Sequence, residues 1–201
     1  MKTIRAPIAN AVRRRLIGTS AIALVAPHLM SAARAHATFG PVKPPLPAPV
    51  ITLTGTDGKS LDLSQVLRGS VTALQLMFVG CSATCPIQGA IFADTQRKLA
   101  GAGAEMRLLS ISIDPLGDDL KALREWLGRF GALSQRWTAA LPRVQDVNKL
   151  LDFLRARASG VDRHTTQAYL FDRSAQLVYR TADMPAGDEL VKLMRQIGSL
   201  P

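Results

Sequence analysis

The chain has 201 residues, 47% of them hydrophobic, and a formal net charge of +10. That length suits one domain of about 150 residues with extra segments, and the apolar content excludes a wholly disordered chain. The charge does not mark a nucleic-acid binder. Residues 1–35 carry six basic side chains and no acid, which leaves 19 basic and 15 acidic residues, a scattered net of +4 with few aromatics for base stacking.

The amino terminus reads as an address. Met1 to Arg15 is basic, Leu16 to Ala26 is apolar, and Ala33-Arg34-Ala35 is a small-x-small cleavage site, the order of a secretory signal peptide. The apolar run is about 11 residues, against about 20 for a membrane-spanning helix. Cleavage is expected after Ala35, and Ala35-His36-Ala37 offers a second site. Left uncut, residues 1–35 would anchor the domain to the membrane. Arg13-Arg14-Arg15-Leu16-Ile17 weakly resembles a twin-arginine signal, but an ordinary basic leader fits the same residues. The expected location is therefore periplasmic or exported, inner-membrane anchored if the segment stays; an Arg-rich mitochondrial presequence is the alternative. Residues 36–49, with Pro41, Pro44, Pro45, Pro47 and Pro49, read as an extended linker. Residues 50–201 then form the domain.

Within the domain, Val50 to Thr54 alternates and Gly55-Thr-Asp-Gly58 turns the chain back. Val71 to Val79 is a near-continuous apolar run, as expected of a central strand covered on both faces. Pro86 to Gly101 predicts a helix, Met106 to Ile113 a second buried strand. Asp118 to Phe130 predicts a helix with Leu120, Leu123, Trp126 and Leu127 on its core face. Arg143 to Ala156 predicts another. Gln167 to Phe171 and Gln176 to Arg180 read as two strands, and Gly187 to Ile197 as a closing helix. The pattern implies an α/β fold with a mixed central sheet and helices on both faces.

The only two cysteines, Cys81 and Cys85, fall after the first central strand and before its helix. A bridge across so short a loop removes little chain entropy, so chemistry explains the pair better than stability. The residue before a proline leaves the helical region and proline favours the first helical position. Cys85 is therefore expected to cap the helix with Pro86 beginning it, which would set the Cys85 thiol over the helix N–H groups and lower its pKa. Thiolate is the form that attacks disulfides and binds soft metals.

Phe78-Val-Gly-Cys81-Ser-Ala-Thr-Cys85-Pro86 resembles the C-x-x-x-C-P loop of Sco/SenC proteins. Ser112-Ile-Asp114-Pro115 resembles that family's S-x-D-P, and Val161-Asp-Arg-His164 through Asp172 its late histidine segment. Gly80 and the Arg163 between Asp162 and His164 depart from the pattern. The resemblance, from about residue 48 to the end, implies a thioredoxin-like fold and copper, Cu(I) or Cu(II), held by Cys81, Cys85 and His164, with Asp114 orienting a ligand. It implies a metallochaperone whose partner is an apo copper protein such as a cytochrome c oxidase subunit. The alternative is a thiol–disulfide oxidoreductase using Cys81 and Cys85 on partner cysteines, itself served by a reductant thiol protein; the CxxxC spacing and His164 tilt toward copper. A redox or copper sensor is the third reading. Were the signal cut after Ala35, the amine and imidazole of His36 would form a second Cu(II) chelate. Met77 and Met106 read as core, and Met184 before Pro185 as a turn residue.

Overall fold

The computed structural model describes residues 39–103, 105–158 and 164–200. The proposed signal segment, His36, Asp162 and Arg163 lie outside the described residues. In chain order the elements are β1 (Gly40–Pro47), β2 (Thr52–Gly55), β3 (Ser60–Asp62), α1 (Leu63–Leu67), β4 (Val71–Met77), α2 (Cys85–Lys98), β5 (Met106–Ser112), α3 (Leu120–Arg129), β6 (Trp137–Pro142), α4 (Val147–Leu154), β7 (Ala168–Phe171), β8 (Gln176–Arg180) and α5 (Gly187–Gly198). The strands form one sheet in the order β1-β8-β7-β4-β5-β6-β2-β3. β4, β5 and β6 run parallel at its centre. The other pairings are antiparallel.

The period of 2 along a strand decides which core each side chain enters. Leu74 and Leu76 of β4, Leu109 and Ile111 of β5, and Tyr169 and Phe171 of β7 face one core, closed by Leu63 and Leu67 of α1 and Leu150, Leu151 and Leu154 of α4. Val71, Ala73 and Met77 face the other with Phe92 of α2, Trp126 of α3, and Leu190 and Met194 of α5. β4 is buried at every position, as its unbroken apolar run predicts.

Several elements differ from the sequence reading, α1 among them, since that reading placed no element over Leu63–Leu67. Residues 40–47, expected as linker, form strand β1, which pairs with β8. Proline lacks an N–H for the ladder but is tolerated on an edge strand, and β1 has a partner on one side only. Val42 and Leu46 pack against the core. β6 was not anticipated; its Thr-Ala-Ala centre carries little strand preference. The helix expected over 143–156 opens as a short 3-10 turn at Val144–Asp146 before α4.

Register then sets the functional end of the sheet. β4 and β5 pair from Val71↔Met106 to Met77↔Ser112, so the loops that follow them leave side by side. β7 runs antiparallel to β4 with Gln75 opposite Ala168, so residues 164–167 arrive at that same end. Sites in α/β sheets form at such carboxyl ends.

Candidate functional site

The cysteine loop is a compact turn. The Phe78 carbonyl accepts the Cys81 N–H at 3.2 Å, and the Thr84 carbonyl accepts the Gln88 N–H at 3.0 Å as α2 begins. Thr84 is the N-cap, with Cys85 the first helical residue and Pro86 next to it. The expectation of Cys85 as cap is thus off by one residue, with a chemical consequence. The helix-end N–H of Cys85 donates to the sulfur of Cys81, at 3.4 Å. The thiol placed on the helix terminus is therefore Cys81, not Cys85.

Partial burial pushes the Cys81 thiol up. The Cys85 N–H and thiol, the Ala83 backbone and the Thr84 hydroxyl outweigh it and hold the thiol below its ordinary value. The Thr84 hydroxyl lies 3.8 Å from the Cys81 sulfur. Cys81 is partly exposed and Cys85 is buried. Cys85 sits in the core with Met77, so the outer sulfur is the one open to a partner.

His164 is buried, 1% exposed, and forms a lone antiparallel bridge with Arg157. Its Nδ1 lies 2.7 Å from the Thr165 carbonyl. A carbonyl can only accept, so Nδ1 carries the proton and, in the neutral ring, Nε2 carries the lone pair. That is the usual arrangement behind a metal-ligating histidine. The His164 ring meets Phe78 edge-on, with centroids 6.4 Å apart at 83°. The segment is held further by the Thr165 hydroxyl on the Tyr169 phenol at 2.6 Å and by Asp183, which accepts the Thr166 N–H and hydroxyl at 2.8 Å each.

Asp114 forms the turn after β5, its carbonyl accepting the N–H groups of Gly117 and Asp118. The carboxylate that reaches the cysteine loop is Asp118, which accepts the Val79 N–H and the Ser112 hydroxyl. Sequence reasoning missed it because Asp118 reads as an ordinary helix-start acid.

The structure thus brings the two thiols together and sets His164 against Phe78 at the root of their loop. Among the described residues, no three His, Cys, Asp or Glu side chains converge into one metal-holding group. The donor types present, two thiols and an imidazole, nonetheless suit copper.

A mixed sheet whose central strand ends in a dithiol loop at a helix amino terminus, with a histidine just ahead of the neighbouring antiparallel strand, defines a thioredoxin-like thiol domain. The SCO1/SenC family model matches residues 49–197, and the chain belongs to that family. A SCO1 protein homolog of Bacillus subtilis (strain 168) is 31% identical over 86 residues, 43% of this chain and 44% of that protein. The match therefore spans less than half the length of that curated relative. Among solved structures, BsSco, described with a disulfide switch and as a member of the Sco family of cytochrome c oxidase assembly proteins, is similar with TM-score 0.69 and 20% identity over 82% of this chain and 99% of that one. Yeast Sco1 with copper bound gives TM-score 0.66 and 20% identity over 78% and 91%. A SCO1/SenC family lipoprotein from Bacillus anthracis str. Ames gives 0.67 and 20% over 79% and 99%. At these identities the likeness establishes the fold.

Proposed function

We propose that this protein binds copper through Cys81, Cys85 and His164 and delivers it to, or matures, the copper site of a respiratory cytochrome c oxidase. The observation that carries this reading is the pair of cysteines at the start of α2, with Cys81 partly exposed. Support comes from the Nδ1-anchored His164, from relatives solved with copper bound, and from a relative described as a cytochrome c oxidase assembly protein. Copper is cargo here. Two thiolates and one imidazole suit Cu(I), and three ligands leave a position through which a partner's thiolate can enter before the donor's ligands leave. The basic-then-apolar leader supports work in the periplasm, and a lipoprotein relative supports anchoring at the membrane. Among the described residues no helix is long and apolar enough to cross a membrane.

The test is anaerobic Cu(I) loading of the reduced chain under a competing chelator. One copper per chain, kept by wild type and lost in Cys81→Ser, Cys85→Ser and His164→Ala, is the expected result. Retention unchanged in all three overturns the reading.

The lowered Cys81 thiol and its contact with Cys85 favour a second reading, thiol–disulfide exchange. The Cys81 thiolate would attack a partner disulfide and expel one partner sulfur as a thiol. Cys85 would then attack the Cys81 sulfur and release the second. Two electrons and two protons pass to the partner, a Cys81–Cys85 disulfide remains, and a reductant thiol protein restores it. His164→Ala separates the readings: copper retention falls while thiol exchange persists. Equal loss of both in a folded variant removes the distinction.

A further inference from the structure

One peptide unit ties the two halves of the site together. The Phe78–Val79 peptide donates its N–H to both carboxylate oxygens of Asp118, at 3.2 and 3.0 Å. Its carbonyl accepts the Cys81 N–H at 3.2 Å, and the ring of Phe78 meets His164 edge-on. Asp118 is buried, 8% exposed, and held in its turn. The Ser112 hydroxyl donates to it at 2.6 Å, its own N–H reaches the Asp114 carbonyl at 2.8 Å, and the Ser112 oxygen accepts the Asp114 N–H at 3.0 Å. The result is a chain of hydrogen bonds from the end of β5 to the Cys81 amide.

The chemistry asks for a carboxylate. Asp118 accepts the Val79 N–H on both its oxygens and the Ser112 hydroxyl on one, and a side-chain amide has a single acceptor oxygen. A satisfied buried network rigidifies what it holds. In the loop it serves, Ser82 and Ala83 are exposed and Gly80 has no side chain.

We infer that Asp118 is the positioning residue of this site. It fixes Cys81 through the Phe78–Val79 peptide and His164 through the Phe78 ring, without acting on sulfur or imidazole itself. Its effect on copper rests on the copper reading; its effect on the loop does not.

The experiment is amide hydrogen exchange by NMR on the reduced chain, with Cu(I) competition on the same samples, for wild type, Asp118→Asn and Asp118→Ala. Asp118→Ala removes both acceptors. Exchange protection at Val79 and Cys81 should fall at least about tenfold while Leu109 of β5 keeps its own, and Cu(I) affinity should fall about 10–100-fold. Asp118→Asn keeps one acceptor and should give a smaller loss at the same two amides. Unchanged protection at Val79 and Cys81 overturns the inference, as does a uniform loss across Val79, Cys81 and Leu109, which marks a merely structural carboxylate. Where Asp118→Ala does not fold, Asp118→Asn decides alone by the same comparison. Wild type that takes no Cu(I) overturns the copper reading instead, and the exchange data still judge Asp118.

Discussion

The strand entry that carries His164 is held by a pair of buried hydroxyls, and their energy can be measured. Tyr169 is fully buried and Thr165 nearly so; their oxygens lie 2.6 Å apart. Burial pushes the Tyr169 phenol well above its ordinary value, and the Thr165 hydroxyl offsets this only in part, so the phenol stays protonated across the working pH range. Tyr169→Phe leaves the Thr165 hydroxyl with its longer bond to Gln167 Oε1 at 3.3 Å, and should cost about 1–2 kcal/mol. Thr165→Val strands the phenol O–H in the core, which should cost about 1–3 kcal/mol. The double variant removes both hydroxyls and leaves neither stranded. Its cost should fall short of the sum by about 1 kcal/mol. The assay is urea unfolding at fixed pH, all four proteins compared at a common m-value. Additivity within about 0.3 kcal/mol would mean that the pair carries no coupling energy, and the argument that it braces His164 would fail.

Other expectations follow from the same structure. Leu74→Ala, at a fully buried position of the central strand, should destabilise by about 2–5 kcal/mol, read by the same unfolding assay; a loss below about 1 kcal/mol would contradict its burial. Gly89→Ala should not bring the usual helix gain of about 1 kcal/mol. A Cβ there meets the Phe130 ring, with Cε1 at 2.8 Å, and Trp126 and Trp137 lie tilted against that ring with centroids at 5.0 and 6.1 Å. A net loss of about 1 kcal/mol is expected, and a gain would show that the ring moves freely. Because the folded Cys81 thiol lies below its ordinary value, the stability this contributes is present above the unfolded thiol's pKa and is lost as pH falls through the lowered one. Peptide-resolved alkylation should accordingly show its half-maximal rate at lower pH in the folded chain than in urea; an equal or higher midpoint refutes the placement of its sulfur on the Cys85 N–H. Removing residues 1–47 should lower the urea midpoint by uncovering the contacts of Val42 and Leu46, worth about 1 kcal/mol each at partial burial. An unchanged midpoint would return that segment to the status of a spacer.

The fold was legible where burial is uniform or periodic. Val71 to Met77 announces itself because it is covered on both faces, and α3 because Leu123, Trp126 and Leu127 recur at helical spacing. It was illegible where tertiary pairing overrides local preference. β6 is recruited by β5 on one side and β2 on the other, which supplies the order that Thr138, Ala139 and Ala140 lack by themselves. β1 is held by β8 despite four prolines. No window of sequence contains those partners.

The site divides along the same line. The two cysteines and His164 stand out by residue type, but which sulfur receives the helix-end N–H depends on whether the helix begins one residue earlier or later. Asp114, Asp118 and Asp119 lie within six residues of one another. Only the register of β4 on β5, ending at Met77↔Ser112, sets Val79 beside Asp118 while Asp114 turns the chain and Asp119 caps α3 through the Ala122 N–H.

The asymmetry between the two thiols bears on both functional readings. Cys85 is enclosed with Met77 in the core beneath α2, whereas Cys81 is partly exposed and stabilised toward thiolate. An incoming copper ligand or a partner disulfide therefore meets Cys81 first, and Cys85 completes what Cys81 begins. In thiol exchange that order makes Cys81 the attacking sulfur and Cys85 the resolving one. Under the proposed copper reading it would make Cys81 the sulfur through which a partner's thiolate gains access, with Cys85 and His164 retaining the ion until the exchange is complete. What would separate the two readings is the imidazole, which thiol exchange does not need and the proposed copper site does.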